Sequence, residues 1–191
     1  ATGEKVMELM FDLNRELGIP EVPQRIAVVS SPQAAGYQDF MKELGASPYR
    51  FDVTLFGAVM QGHGAEMSII GALDAVADRA EEFDAAVIIR GGGSQSDLSF
   101  LNSYLLSFHI AQFPLPVIAG LGHDKDQSVV DMVAALSLKT PTAVAAFLAD
   151  QAAGFDARLE GLGDEIRSCA CRILDREGKD VQMCGAMLRE R

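Results

Sequence analysis

No stretch of this sequence stays apolar for the roughly 20 residues that a membrane span requires. The first residues lack the basic, apolar, small-residue order of a secretory signal. A cytoplasmic protein that does not enter a membrane is the expectation. Cysteine is scarce: Cys169, Cys171 and Cys184 are odd in number, crowded toward one end and without a histidine near them, which argues against a disulfide framework or a zinc site. Reduced thiols on a helix are expected instead. Basic residues are also short, with 16 Lys and Arg against 27 Asp and Glu and a net charge of −11. A stand-alone nucleic-acid binder carries a dense basic surface, which this chain does not have. The deficit is uneven: residues 151–191 hold seven Lys and Arg against eight Asp and Glu, so residues 1–150 carry −10 of the total. Any site for a polyanion must therefore be local. Internal repeats and low-complexity stretches are missing too, as are the GxGxxG dinucleotide pattern and the P-loop pattern.

What is present suffices for a substantial core: 191 residues, 49% of them hydrophobic, fit one domain with an appendage better than two full domains. Residues 4–17 read as a short amphipathic helix with Val6, Met10, Leu13 and Leu17 on one side, ended by Gly18 and Pro20. Arg25 to Ser31 reads as a first buried strand, and Pro32 to Gly45 as the helix after it. Phe51 to Met60 is a second strand, stopping at Gln61-Gly62-His63-Gly64. Apolar residues Met67, Ile70, Leu73, Val76 and Ala80 mark a helix over 65–83. Ala85 to Ile89 is a third strand, and Asp97 to Gln112 a helix with Leu98, Leu101, Leu105 and Phe108 as its stripe. Val117 to Ala119 is a fourth strand, and Lys125 to Leu138 a further helix.

Strands alternating with helices imply right-handed crossovers, hence an α/β fold: a doubly wound, mainly parallel sheet of about four strands. After Thr140-Pro141-Thr142, a helix-start signal, the chain reads as helical almost to Arg191. Phe155, Leu159, Leu162, Ile166, Cys169 and Ile173 alternate four and three apart, the seam of a coiled coil. Gly161, Gly163 and Gly178 weaken that helix by about 1 kcal/mol each relative to alanine, so a packing partner is implied. The expected division is a linker helix over 1–20, an α/β domain over 21–150 and the start of a helical region over 151–191. The abrupt stop at Arg191 suggests a piece of something longer.

Ligands of such sheets gather beyond the carboxyl ends of the strands. That rule puts Ser30, Gln61, Gly62, Arg90, Gly91, Gly92, Gly93, Gly122 and His123 on one rim. In Arg90-Gly91-Gly92-Gly93-Ser94, backbone N–H groups can surround an anion and the guanidinium adds a fixed charge with bidentate geometry. In Gly122-His123-Asp124-Lys125-Asp126 a histidine has a carboxylate three residues on, a usable acid or base with an orienting partner. Asp39 lies on the first helix of the domain and can face the rim. His63 sits in a loop near the rim, and His109 in mid-helix is expected to pack. A flexible turn, a polar capping residue and a solvated carboxylate are the plain alternatives for the glycines, His123 and Asp39. Two competing functions stay open from the residues alone: a kinase-like α/β enzyme holding ATP phosphates on the glycine run, and a non-catalytic scaffold for partner subunits.

Taken together, Arg25 to Pro32, Gln61-Gly62, Arg90-Gly91-Gly92-Gly93-Ser94 with Asp97-Leu98, Gly122-His123 with Asp126, and Asp131 with Thr140-Pro141-Thr142 resemble the large subunit of exodeoxyribonuclease VII over residues 11–150. That bacterial enzyme degrades single-stranded DNA to short oligonucleotides. The resemblance implies an OB-fold before this segment, long helices after it that carry small subunits, and a central catalytic domain here. It implies catalytic roles for Asp39, Arg90, His123 and Asp126, with phosphate bound by Gly91, Gly92, Gly93 and Ser94. No metal is obligatory on this reading, although Asp39 and Asp126 are donors that could take magnesium. Two departures stand out: Ser94-Gln95-Ser96-Asp97-Leu98-Ser99 lacks the glutamate and tryptophan of the commoner pattern, and Ser137 replaces an arginine.

Overall fold

The computed structural model describes residues 13–62, 64–90, 99–121 and 128–189. Five parallel strands make one sheet: β1 (Arg25–Ser30), β2 (Asp52–Gly57), β3 (Ala85–Ile89), β4 (Val117–Gly120) and β5 (Leu136–Ser137), ordered β2-β1-β3-β4-β5. The helices are α1 (Ala35–Ala46), α2 (Ala65–Ala77), α3 (Tyr104–Ala111), α4 (Val129–Val133) and α5 (Pro141–Arg189), with 3-10 turns at Ala80–Glu82 and Ser99–Asn102. This is the doubly wound α/β fold expected, with one strand more than the four read from sequence.

Strand alternation builds the core on both faces of the sheet. Ile26, Val28, Ala85, Val87, Ile89 and Ile118 point to one side and meet Phe40 and Leu44 of α1 and Val144, Ala145 and Leu148 of α5. Ala27, Val29, Ala86, Ile88, Val117 and Ala119 point to the other, against Ile69, Leu73 and Val76 of α2, Leu106 and Ile110 of α3, and Val130 and Val133 of α4. Val87 and Ile88 on the central strand are buried on opposite faces, so β3 is apolar at every position.

The differences from the sequence reading have local causes. The helix read over 65–83 stops at Ala77, and Ala80–Glu82 forms a separate turn. Its buried face is Ala65, Ile69, Ile70, Ala72, Leu73 and Val76, whereas Met67 is 63% exposed. The helix read over 97–112 is broken at Ser103, which recaps the chain by accepting from the N–H groups of Leu105 and Leu106. The restart rotates the stripe, so Leu106 and Ile110 are buried and Leu105 is not. The helix read over 125–138 is only Val129–Val133 among the described residues, and β5 follows it. Leu136 and Ser137 pair with Ile118 and Ala119 of β4, a ladder too short to leave a period-two signal. Of the N-terminal helix read over 4–17, residues 13–16 are helical; residues 1–12 lie outside the described residues.

Asn14 fastens that helical turn to the sheet. Its side-chain N–H2 donates to the carbonyls of Phe113 (3.3 Å) and Leu115 (2.8 Å), and its Oδ1 accepts from the N–H groups of Val117 (2.9 Å) and Ala135 (3.1 Å). The residue is fully buried. A buried amide with its donors and acceptor all used fixes the start of β4 and the approach to β5 together.

Residues 1–152 and 153–191 form two units. Helix α5 starts in the first, where Thr140 caps it by accepting from the Ala143 N–H at 3.1 Å and Val144 and Leu148 are buried. In the second unit Leu159, Leu162, Ile166 and Ile173 are all exposed. No helix of the described residues is long and apolar enough to cross a membrane.

Candidate active site

In the order β2-β1-β3-β4-β5 the chain leaves β1 toward β2, returns, and places β3 on the other flank of β1. The crevice at that reversal, beyond the carboxyl ends of β1 and β3, is where doubly wound sheets bind ligands. An open cleft of about 650 Å3 occupies it. Its walls are the β1–α1 turn, the β2–α2 turn and Arg90, the residue that follows β3.

Arg90 is 8% exposed, an unusual position for a cation. Its backbone N–H reaches the carbonyl of Gly120 at 3.4 Å, which carries the β3–β4 pairing one residue past the strand. Burial pushes the guanidinium pKa down from its ordinary value, the mark of a cation withdrawn from water. Arginine stays charged at any physiological pH even so, and a desolvated planar cation at a cleft wall is suited to phosphate oxygens.

The β1–α1 turn contributes a helix start. Ala34 holds the capping position of α1 without a side-chain cap, and its carbonyl accepts from the N–H groups of Tyr37 and Gln38. Just before it, Ser30 Oγ is fully buried with no hydrogen-bond partner among the described residues. Asp39 is exposed on α1, four residues after Ala35. It therefore shares the helix face of a cleft residue, one turn farther from the rim. Next to the cleft residue Gln61, Gly62 adopts φ +81°, a left-handed conformation that glycine takes without steric cost. Ser68 on α2 secures the β2–α2 turn by accepting from the Val59 N–H at 2.9 Å.

The structure brings Arg90 and Gln61 to one cleft, whereas Asp39 is not among its lining residues and lies on α1 one turn beyond Ala35. Gly91, Gly92, Gly93, Ser94, His123 and Asp126 lie outside the described residues, as does His63. His109 is in the last turn of α3, partly buried, with Nδ1 2.8 Å from the carbonyl of Leu105. Among the described residues no cluster of His, Cys, Asp and Glu is gathered that could hold a metal ion.

Further polar residues frame the site, of which the sequence singled out Asp131 and Ser137 but not Asn102 or Ser128. Asn102 Oδ1 accepts from the Val129 N–H at 3.1 Å, tying the turn after the glycine segment to the helix after the histidine segment. Ser128 and Asp131 form a capping box that starts α4. Ser137, which stands where the resemblance has an arginine, donates to Asp131 Oδ1 at 2.7 Å and links β5 to that box. Gly120 has no room for a side chain: a Cβ there would stand 2.7 Å from Val144 Cγ2 and 3.0 Å from Ile89 Cγ2. Close approach of α5 to the end of β4 requires the glycine.

A second cleft, of about 710 Å3, lies at the opposite end of β1 and β2 and includes Arg25, Ser47, Tyr49 and Arg50. There the carboxyl end of α1 presents carbonyl oxygens, and Arg25 is committed to Asp84 at 2.6 Å. Anion chemistry favours the rim with Arg90.

Comparison with known proteins is consistent with this geometry. The family described as exonuclease VII, large subunit, matches residues 10–191. An exodeoxyribonuclease 7 large subunit of Deinococcus radiodurans is 36% identical over 177 residues, covering 90% of this chain and 42% of the relative. One of Ralstonia nicotianae is 33% identical over 180 residues, 94% of this chain and 41% of the relative. One of a Cyanothece species is 38% identical over 138 residues, 72% of this chain and 32% of the relative. The chain thus spans about two fifths or less of the length of these curated relatives.

Proposed function

The chain belongs to the exonuclease VII large-subunit family, and on that premise we propose that it hydrolyses phosphodiester bonds of single-stranded DNA to oligonucleotides. It does so in the cytoplasm as the catalytic part of a large-subunit and small-subunit complex. The observation that carries this reading is Arg90, a buried arginine at the wall of the strand-end cleft where the topology reverses.

The division of labour follows from chemistry. Attack on a phosphodiester builds negative charge on the phosphate oxygens. Arg90 offsets that charge with a planar cation, and the N–H groups of Gly91, Gly92, Gly93 and Ser94 add oriented donors. His123 moves the proton, as base toward water or as acid toward the leaving oxygen, and Asp126 orients its imidazole. Asp39 positions water or a phosphate contact from α1. No step requires a metal, and magnesium on Asp39 and Asp126 remains an addition the experiment below reads directly. Leu159, Leu162, Ile166 and Ile173, exposed in residues 153–191, are the side chains on which the small subunit docks.

The test is degradation of labelled single-stranded and double-stranded DNA by the large subunit bound to its small subunit, with and without EDTA. Wild type is compared with His123→Ala. Single-strand cleavage in the wild type should fall by about 100-fold or more in the variant, with the fold retained, as removal of a general acid-base group does. Equal cleavage by the two would remove His123 from the mechanism. Absence of cleavage in both would leave only a scaffold role.

A further inference from the structure

We propose that the cleft beside Arg90 is a second phosphate subsite, which seats the non-scissile phosphodiester next along the single strand, on the amino end of α1. The proposal rests on the nuclease reading above for the position of the scissile bond. Its own support is independent of His123 and the glycine run.

Three features of the cleft point to a nucleic-acid backbone. The first is electrostatic: in a chain of net charge −11, the cleft walls carry Arg90 as their one charged side chain and no carboxylate among the described residues. Acidic residues are abundant in this chain, yet none is among the described lining residues, and Asp39 lies one turn of α1 beyond Ala35. The second is the donor set. Helix geometry leaves the first N–H groups of α1, those of Ala35 and Gly36, without intrahelical acceptors, and Ala34 at the capping position has no side-chain oxygen to offer them. An anion takes that role at many helix starts. Ser30 Oγ is fully buried without a partner among the described residues, and strand alternation puts it on the sheet face that α1 covers, one residue before Ser31 of the cleft lining. A buried hydroxyl left unpaired is destabilising. A phosphate oxygen at the helix start gives it an acceptor.

The third feature is the shape and lining. About 650 Å3 exceeds what a phosphate alone fills and lies within the usual range for sites that hold small organic ligands. Pro32 and the exposed Val59 form an apolar wall, while Gln33 and Gln61 supply amide donors and acceptors from opposite turns. An apolar wall suits a sugar or base face, and amides suit sugar and phosphate oxygens. This pairing fits a nucleotide unit of a strand better than a free inorganic anion.

The discriminating experiment follows the backbone amides of the full chain by NMR while a cleavage-resistant phosphorothioate oligothymidylate is titrated, with inorganic phosphate as a parallel arm. The oligonucleotide should give saturable shifts at Ala35, Gly36 and Gln61, and inorganic phosphate shifts at Ala35 and Gly36 alone. Ala35→Glu places a carboxylate on the first turn of an exposed helix start, which favours the helix and opposes the ligand. It should weaken oligonucleotide binding by about tenfold, the scale of one charge-assisted hydrogen bond, with no fall in melting temperature. Oligonucleotide binding that leaves Ala35 and Gly36 unshifted and is unchanged in Ala35→Glu would refute the subsite while leaving the nuclease reading intact, and so would a lack of binding alongside normal cleavage. Binding in the cleft by a complex that cleaves no DNA would refute the nuclease reading and keep the subsite.

Discussion

On the role proposed for Arg90, the type of cation should matter as much as the charge. A lysine there would keep a positive charge in a place 8% exposed, but as a compact ammonium that loses more on leaving water and cannot offer two parallel N–H groups. Arg90→Lys should therefore lower single-strand cleavage by about tenfold to a hundredfold in kcat with a smaller change in KM, as a donor acting on developing charge requires. An equal loss in Arg90→Lys and Arg90→Ala would support this account of the bidentate fork, whereas full activity of the lysine variant would overturn it. Arg90 could be found from sequence because it interrupts an apolar strand just before three glycines. Ser30 could be placed on the rim by the strand-end rule, but that its hydroxyl is buried without a partner among the described residues could not be read there. Gln61 could likewise be placed on the rim, whereas Gln33 is an ordinary loop residue in the sequence and joins Gln61 in one cleft only through the fold.

At the scale of elements, the starts of β1 and β3 are joined by a clamp. Asp84 accepts from the Arg25 side chain at 2.6 and 3.1 Å and from the backbone N–H groups of Arg25 and Gln24 at 2.8 and 3.0 Å. Partial burial would raise the Asp84 carboxyl, but these hydrogen bonds and the charge of Arg25 together outweigh it and hold the pKa below its ordinary value. A depressed native carboxylate contributes stability that is fully present above its unfolded pKa, near 4, and is lost as pH falls through the native value. Asp84→Asn should accordingly be less stable than wild type at neutral pH, with the gap closing below about pH 4. Urea titrations across that range would show it, and a gap constant with pH would mean the clamp contributes no charge effect. The elements that sequence made legible are those with a strong period or a clear stop: β1, β3 and β4 as apolar runs, and α5 from its threonine-proline start. What failed was the segment between Ser128 and Leu138. It contains a five-residue helix and a two-residue strand, and neither is long enough to express its own period. The tether from Asn102 to Val129 could not be read either, because it joins residues 27 apart by one hydrogen bond.

For the whole molecule, the two units carry different kinds of surface. The described residues of the first unit bury a core on both sides of a sheet, while residues 153–191 leave Leu159, Leu162, Ile166 and Ile173 exposed at heptad spacing. A helix with an apolar stripe and no partner gains little from its own propensity and most from association. On the docking role proposed for this stripe, Ile166→Asp should abolish co-purification with a small subunit and leave residues 13–152 folded by circular dichroism; undiminished co-purification would refute that role. The buried amide of Asn14 has a further consequence, for the order in which the protein takes shape as it is made. Its partners lie 99 to 121 residues later in the chain. At ribosomal rates of about 5–20 residues per second, the helical turn that carries Asn14 waits on the order of 5 to 25 seconds for them. Until Phe113 has emerged that turn has none of these partners, and until Ala135 has emerged it lacks the last, so a chaperone or a neighbouring nascent chain has that interval in which to bind it.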